Sequence, residues 1–122
     1  MSFDPATLAL LDKSLEVEIE TARLDGSTRR TVIWVVVDHG DVFVRSVRGD
    51  RGHWFQAAVG GDEPVHLKVG EQRIPVSVRP AADAESIRRC SRALERKYAG
   101  DPALPSMLRS MVLDTTLRLQ PA

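Results

Sequence analysis

Apolar residues at the start of the chain recur at helical spacing. Leu8, Leu11 and Leu15 follow Asp4-Pro5, an N-cap with a proline in the first turn, and this predicts a helix from Pro5 to about Lys13. The period then changes to two. Val17, Ile19 and Thr21 alternate with Glu16, Glu18 and Glu20, as in a strand with one wet face. Asp25-Gly26 reads as a hairpin turn. Arg30 to Val37 is apolar on both faces and reads as a central strand, placed where a sheet closes or where a second chain or bound ring covers one side. After a turn at His39-Gly40, Val42, Val44 and Ser46 alternate with Phe43, Arg45 and Val47, which completes a three-stranded meander.

Arg48 to Gly52 is too rich in charge and glycine for a strand, and it leads into a short helix from about Gly52 to Val59, ended by Gly60, Gly61 and Pro64. A second hairpin follows. Val65, Leu67 and Val69 form one arm, Gly70-Glu71 the turn, and Ile74, Val76 and Val78 the other arm; Pro75 lacks a donor and predicts an edge or a bulge there. Asp83 caps a helix that runs to about Ala99, with Ile87, Cys90, Leu94 and Tyr98 inward and Gly100 as its stop. Pro105 to Met111 reads as a short helix with Leu104, Leu108 and Met111 inward, and Thr115 to Leu119 as a last strand. Mostly antiparallel strands with tight hairpins point to an α+β fold, a six-stranded barrel capped by helices, as one domain over residues 1–122.

Composition narrows the function. With 43% apolar and 28% charged residues the chain is neither disordered nor membrane-spanning. Its 17 basic and 17 acidic residues cancel, which argues against a general footprint for nucleic acid or membrane. The start shows no secretory pattern, so a cytoplasmic location is expected. The lone Cys90 has no partner for a bridge or metal pair, His39, His53 and His66 lack carboxylates or thiols at ligand spacing, and Ser46 has no triad in sequence. No metal site and no catalytic residue are assigned.

Charge is instead local. Arg29, Arg30, Arg45, Arg48 and Arg51 gather around Thr31 to Val59, opposed by Asp38, Asp41 and Asp50. An apolar strand runs there into a basic loop with Ser46, Gly49 and Gly52. Guanidinium forks, a hydroxyl and closely approaching amides suit a phosphate, while Val32 and Trp34 can wall a flat ring.

Phe43-Val44-Arg45-Ser46 on a strand, the Gly49-to-Gly52 loop, Trp54-Phe55 opening a helix, and Pro64 to Gly70 together resemble the flavin- and deazaflavin-binding split-barrel proteins. That group includes pyridoxamine phosphate oxidases and deazaflavin-dependent nitroreductases. The chain is most similar to the deazaflavin branch and to a compact bacterial family of this fold, with Phe55 in place of a Tyr and Ala57-Ala58 in place of Asn-Leu. The resemblance implies a split β-barrel homodimer with FMN or a deazaflavin coenzyme at the subunit interface. The ring would lie near Thr31, Val32, Ile33 and Trp34 and the phosphate near Ser46, Arg48 and Arg51, with Trp54 also among the cofactor-binding residues. It implies an oxidoreductase, or alternatively a non-enzymatic barrel that carries a cofactor, haem or another tetrapyrrole, or one that has lost its ligand.

Overall fold

The structure, a computed structural model, describes residues 2–61 and 64–122. Helix α1 (Pro5–Lys13) is capped by Asp4, whose carboxylate accepts the Thr7 amide at 2.7 Å. Strands β1 (Val17–Ala22) and β2 (Thr28–Ile33) form a hairpin, and β3 (Val36–Asp38) and β4 (Asp41–Val44) form the next. Both central residues of the second turn have positive φ, His39 at 49° and Gly40 at 83°, the conformation that matches strand twist in a two-residue hairpin. A 3₁₀ turn (Gly49–Arg51), α2 (His53–Gly60), the hairpin β5 (Val65–Val69) and β6 (Gln72–Pro80), and the long α3 (Ala84–Lys97) follow. Two single turns, α4 (Leu104–Met107) and α5 (Ser110–Leu113), lead to β7 (Leu117–Pro121).

Among the described residues seven strands form one antiparallel sheet in the order β2-β1-β5-β6-β7-β4-β3. Its two edges, β2 and β3, are separated in the chain only by Trp34 and Val35. Three Cα steps span at most about 11 Å, so the sheet must curl until its edges nearly meet. The expected strand from Arg30 to Val37 is therefore one run bent into two, which is why the count is seven rather than six. That run is also not central: each half is an edge. The bend removes Val35 from the ladder, and its carbonyl accepts instead from Lys97 Nζ at 2.7 Å.

Two further expectations shift. Pro75 lies within β6, an internal strand, opposite His66, but one residue beyond the last β6–β7 pair, Val76 with Pro121. Its missing donor thus falls where that ladder ends. Met111 is 69% exposed, and Met107 and Val112 take the inward positions, because the segment breaks into two separate turns instead of one continuous helix. The last strand starts two residues later than expected, after Thr115 and Thr116, whose hydroxyls bond back to Val112 and Leu113 carbonyls.

Two cores result. Inside the barrel, Val17, Ile19, Leu67, Val76, Leu117 and Leu119 meet residues of α1 and α2. On the outer face, Val36 and Phe43 are covered by Cys90, Ala93, Leu94 and Tyr98 of the α3 segment. Each such aliphatic or aromatic side chain contributes roughly 1.5–3 kcal/mol on burial.

Asp38, 7% exposed, fastens the second core. Its carboxylate accepts from Arg89 Nε at 2.7 Å and Arg96 Nη2 at 3.1 Å, and Arg89 also reaches Asp41 at 2.8 Å. Burial pushes the Asp38 carboxyl up, but hydrogen bonds from Arg89, His39 and Arg96 outweigh it and hold it below its ordinary value. A depressed carboxyl stabilises the fold fully above the unfolded value, about 4, and loses that contribution as pH falls through the folded one. Asp38→Asn is expected to cost about 2–4 kcal/mol at neutral pH. Urea unfolding across pH should also show a shallower acid decline in the variant than in the native chain; parallel declines would assign the acid sensitivity elsewhere.

Candidate functional site

Beyond β4 the chain continues through Arg45 and Ser46, both buried. The Ser46 amide donates to Thr115 Oγ1 at 3.1 Å, and the Ser46 carbonyl accepts the Gly49 amide at 3.0 Å. Gly49 adopts φ 67°, a left-handed conformation natural to glycine, and starts the 3₁₀ turn. Gly52 ends that turn against Ser46 so closely that a Cβ on it would lie 2.5 Å from the Ser46 hydroxyl. That hydroxyl is buried and has no hydrogen-bond partner among the described residues.

The loop borders a cavity of about 400 Å³, within the usual range for small-molecule sites. Thr31, Val32, Ile33 and Trp34 from the β2–β3 run line it together with Ser46, Arg48 and Trp54. Trp34 stacks face to face on Tyr98, with ring centroids 3.8 Å apart and planes 5° apart, so packing fixes the plane of the indole. Trp54 is 6% exposed and meets Phe55 edge-on.

Seven of the eight residues expected at the site thus surround one cavity. Arg51 does not: it is exposed and outside the wall. The 3₁₀ turn advances about 2 Å per residue and carries Arg51 roughly 6 Å past Arg48. Arg45, read with the strand that ends at Ser46, lies one residue beyond β4. Strand alternation sends its side chain to the α3 side, as it does Phe43, where it is only 2% exposed. Its Nε donates to Thr116 Oγ1 at 3.0 Å, Nη1 to Ser91 Oγ at 3.0 Å and the Met107 carbonyl at 2.9 Å, and Nη2 to the Ile87 carbonyl at 3.1 Å. Burial lowers its pKa, with Cys90 as the sole opposing group, and Cys90 in turn is pushed up to about 11 by burial.

Glu16, Arg29, His53 and Met107 also line the cavity and were not assigned to it from sequence. Arg29 was within reach, since it stands two residues from Thr31 on the same face of β2. Met107 comes from α4, far along the chain, and nothing in the local pattern marks it.

The arrangement resembles several solved structures, at identities that speak to fold alone. A putative pyridoxamine 5′-phosphate oxidase from Listeria innocua superposes with a TM-score of 0.64 at 12% identity, covering 95% of this chain and 90% of its own. An F420-H2 dependent reductase gives 0.61 at 15% identity, covering 89% and 96%. HutZ, a heme storage protein from Vibrio cholerae, gives 0.60 at 12% identity, covering 100% and 92%. The fold is therefore a split barrel. No curated protein matches the chain in sequence. A family profile described as "Uncharacterized protein conserved in bacteria (DUF2255)" matches residues 7–119. Among the described residues no helix is long and apolar enough to cross a membrane.

A buried hydroxyl without a partner carries a desolvation cost of about 1–3 kcal/mol. Ser46→Ala should therefore leave the ligand-free protein as stable as before, or raise its unfolding free energy by about 1 kcal/mol. Urea denaturation measures this, and a loss above 1 kcal/mol would mean that the fold itself uses the hydroxyl.

Proposed function

The chain belongs to that bacterial family, DUF2255, and we propose that its cleft is a cofactor site, taking FMN or a deazaflavin coenzyme in an oxidoreductase. The observation that carries this reading is Ser46. Its hydroxyl is buried, unpartnered and held against Gly52, a cradle that any side chain at position 52 would fill. A ligand in the cleft would supply the partner that this hydroxyl lacks.

Ser46, Arg48 and the backbone from Gly49 to Gly52 would hold the phosphate, and Thr31, Val32, Ile33, Trp34 and Trp54 the ring. Such a group supplies hydride chemistry when bound, so the chain's own work is position and exclusion of water. The Trp34–Tyr98 stack serves the first, because an indole already fixed loses little entropy on meeting a ring. A second copy of the chain would serve the second. Val32 and Val47 border the cleft with 57% and 46% of their surface exposed, aliphatic area suited to a homodimer contact.

A second reading, a carrier of haem or another tetrapyrrole, is favoured by His53, a residue type that ligates haem iron and that stands in the wall. Titration separates the two. Purified protein is titrated with FMN, with a deazaflavin coenzyme and with haemin, following tryptophan fluorescence and absorbance. Saturable binding of one of the first two supports the proposal; a haem Soret shift lost in His53→Ala would replace it, and no response to any would overturn both.

Arg48 and Arg51 give a sharper contrast. Arg48→Ala is expected to weaken cofactor binding by about 1–3 kcal/mol, the range for a lost charge-assisted hydrogen bond. Arg51→Ala should change it by no more than about 0.5 kcal/mol, as for a remote surface site. Equal losses in equilibrium titration would put the phosphate nearer the end of the 3₁₀ turn.

A further inference from the structure

The charges of the cleft narrow what it can hold, given the reading of it as a ligand site. Its wall carries Arg29, Arg45 and Arg48 against Glu16, a net charge of two positive with His53 neutral, in a chain whose total is zero. None of the three arginines forms an ion pair among the described residues. The chain spends its carboxylates on other arginines: Glu20 on Arg30 and Arg73, Asp38 and Asp41 on Arg89, Arg96 and Arg118.

Arg45 is the exceptional one. A guanidinium has five N–H donors; four are committed to neutral oxygens, which among the described residues leaves one on Nη2 without an acceptor and the full positive charge without a counter-ion. Buried charges are ordinarily paired, and an unpaired one is retained at a cost. Next to it in sequence, Ser46 presents the buried, unpartnered hydroxyl. Two adjacent residues of one strand end thus hold unmet polar capacity, and both belong to the cleft wall.

We propose that the cleft selects a phosphomonoester dianion over a phosphodiester or a neutral head, and that Arg45, rather than the exposed Arg48, sets this requirement. A diester balances one of the two net charges and a monoester balances both. The buried guanidinium acts through a medium of low effective dielectric, where a charge at a given distance attracts several times more strongly than in water, whereas Arg48 is screened by solvent and salt.

The test uses the whole chain and two probes with one ring in common, phenyl phosphate and methyl phenyl phosphate, with the fluorescence of Trp34 and Trp54 as readout. At about pH 7.5 the monoester should bind at least about tenfold tighter, the scale of one charge-assisted hydrogen bond. The preference should fall toward parity at about pH 5, since a phosphomonoester takes up its second proton near pH 6. Acidification can only make Glu16 and His53 more positive and leaves the arginines unchanged, so the wall's own titration would tighten anion binding. A loss at low pH therefore reports the ligand's proton. Arg48→Ala should weaken both probes and keep the preference, and Arg45→Met should abolish it while Arg45→Lys retains part of it. Equal binding of the two probes overturns the proposal. So does a preference that disappears in Arg48→Ala, a surface variant whose folding is not at issue, or one that survives in Arg45→Met. If FMN, deazaflavin and haemin all fail to bind while the monoester preference stands, the cofactor reading falls and this inference does not.

Discussion

The bend at Trp34–Val35 is the constraint on which the rest depends. One chain run supplies both edges of the sheet, so closure of the barrel needs no pairing between β2 and β3, only a place for the peptide groups that the bend takes out of the ladder. The end of α3 provides it. Lys97 donates to the carbonyls of Val35 and Leu11, at 2.7 and 3.0 Å, and Tyr98 donates to that of Leu15 at 2.7 Å. Two neighbouring residues thereby tie the bend, the end of α1 and the start of β1 together. The same Tyr98 stacks on Trp34, so the device that closes the barrel also sets one wall of the cleft.

The cleft consequently lies at the seam between the two cores. Its wall takes Ile33 from the barrel core and Trp34 and Met107 from the core beneath α3. Arg45 bridges that seam, since its four hydrogen bonds reach α3, the α4 turn and Thr116 from the end of β4. Removing its charge alters the cleft's field, while removing its donors frees carbonyls of two helical segments. A stability measurement alone would confuse the two roles; the charge preference of a ligand separates them.

Most of the architecture was legible because it rests on local signals. The caps at Asp4 and Asp83, the turns at Asp25-Gly26, His39-Gly40 and Gly70-Glu71, and the period-two runs all act over a few residues. The misjudged features are non-local. A run apolar on both faces suits a central strand and equally suits a bent strand whose halves face different cores, as Ile33 and Val36 do. Met111 fits a helical stripe with Leu104 and Leu108 until the helix breaks at Leu108–Arg109. At the cleft, Ser46 and Arg48 were readable as a hydroxyl and a guanidinium beside glycines. Arg45 was read only as one of a local cluster of arginines, because sequence shows a charge and not the absence, among the described residues, of its counter-ion.

That absence gives the loop from Arg45 to Gly52 its meaning. A fold optimised for stability alone would pair the guanidinium with a carboxylate, give the Ser46 hydroxyl an acceptor, and fill the space beside Gly52. The chain does the first two elsewhere: Glu20, 3% exposed, takes two arginines at 2.7 Å, and Thr115 and Thr116 satisfy their hydroxyls within their own turn. The capacity to satisfy buried polar groups is therefore present. Among the described residues Thr21 on β1 also keeps a buried hydroxyl without a partner, but only at Arg45 and Ser46 do an unpartnered hydroxyl and an unpaired guanidinium stand side by side in the wall of a cavity. Unmet donors and uncompensated charge placed together at a cleft are what an anionic ligand would complete, and they concentrate the functional argument on Arg45 and Ser46 rather than on the more conspicuous arginines of the surface loop.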